Sequence, residues 1–96
     1  METYQAFYQN EIRALQITIN DQDGDSFAPS AAYVQVQDST GTEVVAEQPA
    51  QVTANTVTTL IGTAVTATVG KYKIIWRISH SLHTYYHVSE LEVMEL

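Results

Sequence analysis

The 96-residue chain contains no cysteine, and it has only four glycines and two prolines. Without cysteine there is no disulfide, no thiolate metal site and no cysteine nucleophile, so the core alone has to hold the fold together. Small secreted domains usually depend on disulfides, and the composition argues against that class. The four glycines are scattered, one per turn, which excludes a glycine-rich phosphate loop.

Basic side chains are also scarce: four Lys and Arg stand against eleven Asp and Glu, for a net charge of −7. A nucleic acid held through its phosphates needs a basic surface, so we expect no nucleic-acid partner. The same charge disfavours an anionic membrane, no apolar run reaches the ~20 residues of a membrane span, and residues 1–4 lack signal-peptide features. We expect no membrane association. We expect a soluble product that is used in the cytoplasm or assembled into a larger structure there.

Strand-forming residues dominate what is present. Val, Ile, Thr and Tyr are abundant, turn residues recur at short intervals, and no segment has the pattern of a three-turn helix. The length predicts a single domain over residues 1–96. Because no helices are available to cover a sheet, two sheets must bury each other. We therefore predict an all-β, immunoglobulin-like β-sandwich of about seven antiparallel strands.

Period-two alternation predicts the core. Residues 11–19, 32–37 and 71–78 each place apolar side chains on one strand face. The predicted core residues are Leu15, Ile17, Val34, Val36, Tyr72, Ile74, Trp76 and Ile78. Tyr72 follows Gly70 at a strand start, where sandwiches often use a tyrosine to pin a corner.

The last predicted strand, residues 84–95, returns alongside 71–78 as a hairpin. Its apolar phase changes along its length, because Val88 and Leu91 lie on opposite parities. A β-bulge near Ser89 would reconcile the two halves, and we predict one there.

The acidic turn at residues 21–25 suggests a calcium site, because hard cations bind several oxygens from one loop. Its carboxylates belong to Asp21, Asp23 and Asp25. The spacing does not fit the helix–loop–helix site, in which glycine is sixth and glutamate twelfth; here Gly24 is fourth. A turn that tolerates left-handed backbone angles explains the same residues. The three aspartates are weak metal candidates, and we favour the turn.

Three histidines, His80, His83 and His87, fall within eight residues around the hairpin tip. Imidazoles bind zinc or nickel when they converge, but two of these lie on the turn and the third lies further along the strand. We favour a solvated tip. The serines occur in no nucleophile-elbow context and no histidine–acid arrangement can be proposed, so we expect no enzyme activity and no cofactor.

Tyrosine anchors interfaces well, which makes the aromatic residues candidates for a binding surface. We expect Tyr33 to be exposed, because its neighbours Ala32 and Val34 are on the apolar parity. The candidate binding residues are Tyr33, His80, His83, Tyr85 and His87.

Several features in order along the chain carry a family resemblance. They are the strands at 4–8 and 11–19, the turns at 21–24 and 38–41, the Thr-rich run into Gly-x-Tyr-x-x-x-Trp at 66–76, and the tail at 90–96. Together they cover nearly the whole chain, which resembles the small immunoglobulin-like domains of tailed-bacteriophage virion proteins. The resemblance implies a structural or adhesive role and transfers no catalytic residue.

We therefore expect a virion protein, either a capsid decoration (cement) protein or a head–tail accessory, that binds a protein lattice. Its partners would be other virion proteins, and it would be located in the virion after assembly in the host cytoplasm. The alternative is an adhesion module, in a baseplate or on a surface, that binds host carbohydrate or protein through the hairpin tip. A homo-oligomer also stays open, because the edge at 43–47 or the last strand could pair with a neighbour.

Overall fold

The computed structural model describes residues 3–20 and 28–95. Asp21, Asp23 and Asp25, the weak calcium candidates, lie outside these residues. The described elements are eight strands and one helical turn: β1 (Thr3–Tyr8), β2 (Arg13–Thr18), β3 (Ala31–Asp38), β4 (Glu43–Pro49), β5 (Gln51–Thr53), β6 (Thr56–Ile61), α1 (Thr63–Thr66), β7 (Gly70–His80) and β8 (His83–Met94).

The strands form two sheets. One has five strands in the order β1-β8-β7-β3-β4, and the other has three in the order β2-β6-β5. The two pack face to face around one apolar core, which confirms the all-β, immunoglobulin-like sandwich. The β4 strand beside β3 extends the larger sheet in the manner of a variable-type domain.

One strand pair departs from the antiparallel expectation. β1 pairs with β8 in parallel, from Thr3 opposite Ser89 to Tyr8 opposite Met94. These strands come from opposite ends of the described chain, so no hairpin turn dictates their relative direction. Their orientation is decided by how β1 lies along the finished sheet.

The core takes one face from each strand. The eight residues that the alternation selects are all buried there, from Leu15 on β2 to Ile78 on β7. Other strands add further apolar side chains, namely Phe7, Val57, Ile61, Leu91 and Val93. Trp76 and Ile74 are completely buried, which places β7 at the centre of the core.

The predicted bulge near Ser89 is wrong. β7 and β8 keep one register throughout, from Gly70 opposite Val93 to His80 opposite His83. The inward parity of β8 continues from Leu91 through Ser89, whose hydroxyl accepts a hydrogen bond from the Trp76 indole N–H at 3.0 Å. A polar residue can therefore hold a core position, because the buried indole needs an acceptor.

Tyr72 closes the corner where the chain enters β7. Its side chain is buried, and its hydroxyl donates to the Thr68 carbonyl at 2.6 Å. Burial, followed by the nearby Asp38 carboxylate, raises the pKa of the Tyr72 hydroxyl. The same connection contains α1, in a segment that the sequence leaves open between an edge strand and a loop.

Candidate functional site

The hairpin formed by β7 and β8 ends in a tight turn. Its strands are 11 and 12 residues long and pair as far as His80 opposite His83, leaving only Ser81 and Leu82 in the turn. Ser81 adopts a positive φ of 57°, as two-residue hairpin turns require. The turn is shorter than the sequence predicts, and it holds both side chains away from the sandwich.

Large apolar side chains gather at this end. Leu82 is 99% exposed, Tyr86 68% and Tyr85 45%. The rings of His83 and Tyr85 lie side by side, with centroids 6.0 Å apart and planes tilted by 39°. We call Leu82, His83, Tyr85 and Tyr86 the tip cluster. Single exposed apolar residues are ordinary, but several close together in sequence at one end of a hairpin are typical of an interaction site.

Tyr33 does not join the tip cluster. It lies on the outer face of the five-stranded sheet and is half-buried, so the expectation of an exposed ring is wrong. The Arg77 guanidinium covers it, 4.3 Å from the ring centroid. Two hydrogen bonds of 3.0 and 2.8 Å to the Glu47 carboxylate hold Arg77 in place. This pairing raises the pKa of Arg77 and lowers that of Glu47.

His87, the third of the predicted binding histidines, is less exposed than the tip cluster. It is half-buried on the inward parity of β8, opposite Trp76. Its Nε2 is buried and has no hydrogen-bond partner among the described residues. Burial lowers the pKa of the imidazole, because desolvation penalises the charged form. His87 therefore belongs to the border between the core and the tip.

His80 is half-buried and faces His83 across the last pair of the hairpin. Within the described residues, no three His, Asp or Glu side chains come together in a way that could hold a metal ion. His87 lies four residues beyond His83 on an extended strand, which separates it from the other two imidazoles. Across residues 3–20 and 28–95, no helix has the length and apolar character needed to cross a membrane.

Two members of the tip cluster, Leu82 and Tyr86, are missing from the residues that the sequence selects. The sequence feature that could have identified Leu82 as a binding residue is its position in the turn. An apolar residue inside a polar hairpin turn has no sheet face to pack on, so it points to solvent or to a partner. Tyr86 shows the same signal through parity, because it faces away from the core with Arg77.

Two clefts lie between the elements of the sandwich. One, of about 260 Å³, is lined by Ser39, Lys71, Tyr72, Lys73, Glu90 and Leu91. Another, of about 200 Å³, opens between β4 and β6 and is lined by apolar and uncharged side chains such as Val45 and Leu60.

No family model and no curated protein matches this sequence. Among solved structures, the chain is similar to the immunoglobulin-like domain of mouse leukocyte-associated immunoglobulin-like receptor 1, crystallised as a strand-swapped dimer. The TM-score is 0.51 at 15% identity, over 96% of this chain and 88% of that one. It is also similar to part of a family 123 glycoside hydrolase from Clostridium perfringens, with a TM-score of 0.58 at 9% identity, over 99% of this chain and 23% of the enzyme.

A chimeric titin Z1Z2 matches with a TM-score of 0.48 at 18% identity, over 99% of this chain and 89% of that one. Identities this low carry information about architecture and none about activity. The likeness to the receptor domain agrees with the strand order and the packed sheets: the chain has the immunoglobulin-like β-sandwich fold.

Proposed function

We propose that this chain is a non-enzymatic structural protein of a tailed-bacteriophage virion that binds a protein lattice through the tip cluster. The observation that carries the binding role is Leu82, a leucine 99% exposed at the apex of a two-residue turn. An apolar side chain gains nothing from water there, whereas burial in a partner would stabilise a complex by roughly 1.5–3 kcal/mol. The virion setting rests on the sequence resemblance alone.

The geometry of the tip suits a protein partner. Tyr85 and Tyr86 follow Leu82 on β8, project to opposite faces of the hairpin and present aromatic rings with hydroxyl groups, the combination that anchors protein interfaces. The paired strands fix the backbone of the tip before binding, so little backbone entropy is lost on association. Residues 79–87 include no Lys or Arg. The contact we propose is therefore apolar and shape-dependent.

One observation favours the adhesion alternative. The adjacent rings of His83 and Tyr85 form an aromatic surface beside the turn, and a sugar of the host surface could stack on such rings. In this case the binding energy would come from the rings and their polar atoms, whereas in the lattice role it would come from Leu82. The two roles therefore differ in which substitution abolishes binding.

The decisive experiment is co-sedimentation of the purified chain with virions from the source that encodes it. We expect saturable binding, weakened at least about tenfold by Leu82→Ser, which corresponds to ~1.4 kcal/mol. The matched control is Val69→Ser, which removes an apolar side chain that is 45% exposed just before the other end of β7. The control should bind like the unaltered chain.

Failure to bind virions, together with absence from purified particles, would overturn the lattice role. The adhesion role is tested in parallel on a glycan array and on host cells. Binding there that is lost in Tyr85→Ala and His83→Ala but retained in Leu82→Ser would favour adhesion and count against the lattice role.

A further inference from the structure

The outer edge of β2 has no strand partner among the residues that the structure describes. β2 is an outer strand of the three-stranded sheet and pairs only with β6 among the described residues, from Arg13 opposite Ile61 to Thr18 opposite Thr56. In the same register, the Ile19 N–H donates to the Asn55 carbonyl at 2.8 Å. Hydrogen bonds alternate along an antiparallel strand, so odd-numbered residues of β2 bond to β6. The backbone groups of the even-numbered residues, Ala14, Gln16 and Thr18, point to the open side.

The other sheet edges carry features that discourage pairing. β4 contains Glu43 and Glu47, ends on Pro49 and has two register shifts against β3. β5 is only three residues long. Short, charged or irregular edges make poor templates for another strand.

The edge of β1 is occupied by side chains. The Arg13 guanidinium donates to the Ala6 carbonyl at 2.6 Å, and the Glu11 carboxylate accepts from the Tyr8 N–H at 2.9 Å. Arg13 and Glu11 are themselves ion-paired at 3.2 Å. On β2, by contrast, residues 14–18 contain no charge and no proline, and their register with β6 is regular. Among the described strands, β2 is thus the edge best prepared to accept another strand.

We infer that β2 pairs antiparallel with β2 of a second copy of this chain, about a two-fold axis at Gln16. In this register Gln16 lies opposite Gln16 of the second copy, and Ala14 lies opposite Thr18. All three are hydrogen-bonding positions, so their free N–H and C=O groups satisfy one another. The two three-stranded sheets become one six-stranded sheet, and the contact is isologous, which closes the assembly at two chains.

Charge argues for a second copy as the occupant. Each chain carries a net charge of −7, so two copies repel unless they meet where no like charges come together. The outward side chains of β2 are neutral, and so are their neighbours Thr56, Thr58 and Leu60 on β6. A charged peptide finds no complementary charge on this strip, whereas an identical neutral strip fits it.

Apolar surface lies beside the edge. Leu60 is 65% exposed and lies opposite Ala14 in the β2–β6 register, on the outer face of the sheet. In the dimer, Thr18 of the second copy lies on the other side of Ala14, one strand further from Leu60. Leu15 and Ile17 point inward and become neighbours across the junction, which continues the core face of both sandwiches.

The test is sedimentation equilibrium of the full chain over a range of concentrations. We expect the mass to rise from the 10.7 kDa of one chain to twice that value. Gln16→Lys brings two ammonium groups together at the two-fold axis and should weaken dimerisation at least about tenfold. The matched control is Thr58→Lys, which adds the same charge to the same sheet face on β6, one strand from the edge.

A second variant distinguishes loss of the dimer from loss of the fold. Gln16→Pro removes an edge-directed N–H that makes no bond to β6, so the fold should persist, as checked by circular dichroism, while the dimer is lost. A mass of one chain up to ~1 mM, or a dimer unaffected by both Gln16 variants, would overturn the inference. Leu82→Ser should dimerise normally, so this proposal can fail or stand independently of the lattice-binding role.

Discussion

The two ends of the β7–β8 hairpin come from the same pair of strands, yet they differ sharply in environment. At one end, Trp76 and Leu91 are buried in the core of the sandwich, and the buried indole has its acceptor. At the other, Leu82 and Tyr86 are exposed around a two-residue turn. Strand pairing is equally regular at both ends. The contrast shows that regular hydrogen bonding extends a hairpin past the core, and that burial depends on whether the opposite sheet lies beneath it.

The largest test of this contrast removes one large apolar side chain from each end. Trp76→Ala leaves a cavity in the core and should lower the free energy of unfolding by about 3–5 kcal/mol. Leu82→Ala should change it by less than ~0.5 kcal/mol, because Leu82 contacts almost nothing in the folded chain. Urea denaturation of the two variants measures both values. Similar losses in the two variants would contradict the division of the hairpin into a buried and an exposed end.

A smaller effect is expected from the polar contact inside the buried end. Ser89→Ala leaves the Trp76 N–H buried without an acceptor and should cost roughly 1–3 kcal/mol of stability. In a Trp76→Phe background the same change should cost clearly less, because no indole N–H is left unpaired. Chemical denaturation of the four proteins of this double-mutant cycle gives the coupling energy. A coupling near zero would show that Ser89 is only a spacer.

The smallest expected effect lies at the border between the two ends, at His87. Burial lowers the folded-state pKa of its imidazole, so the unfolded chain binds the proton more readily. His87 should therefore favour folding above the unfolded pKa of ~6.5, and this contribution should fall away as pH drops from ~6.5 through the lower folded value. Denaturation midpoints at pH 7.5 and 5.5 measure the loss, which His87→Gln should remove. An unchanged pH dependence in that variant would exclude His87 as its source.

Two carboxylates with lowered pKa values, those of Asp38 and Glu47, do not interfere with the measurement on His87. Asp38 accepts hydrogen bonds from the Thr40 side chain and from the backbone of its own turn, and these lower its pKa. Glu47 is held low by Arg77. Both carboxylates stabilise the folded chain when the pH is above the ordinary pKa range of acidic side chains. This stabilisation is lost only as the pH falls below ~4.

Period-two alternation was enough to select the buried faces of β2, β3 and β7. On β8 the alternation led to the prediction of a bulge that is absent, because a polar residue occupies an inward position there. Ser89 holds an inward position through a hydrogen bond to Trp76, a residue 13 positions earlier. Tyr33 shows that alternation is also an incomplete guide to exposure at an outward position. Its ring is covered by Arg77, which is anchored by Glu47 across 30 positions of sequence. Neither contact leaves a local signal.

The sequence predicted the location of the candidate site and two members of the tip cluster, His83 and Tyr85. The sequence places a polar, aromatic tip between the last two strands, and the tip lies there. Which residues are exposed on it depends on the register of the hairpin and the length of the turn. Pairing to the end of β7 leaves Leu82 at the apex and turns His87 inward.

By itself, the sequence determined the all-β class and the inward faces of its central strands, because alternation at period two is a local property of the chain. Tertiary structure alone decided the parallel pairing of β1 with β8, the cover over Tyr33, the acceptor for Trp76 and the outer position of β2 in its sheet. Each of these depends on groups that are distant in sequence and meet only when the two sheets pack.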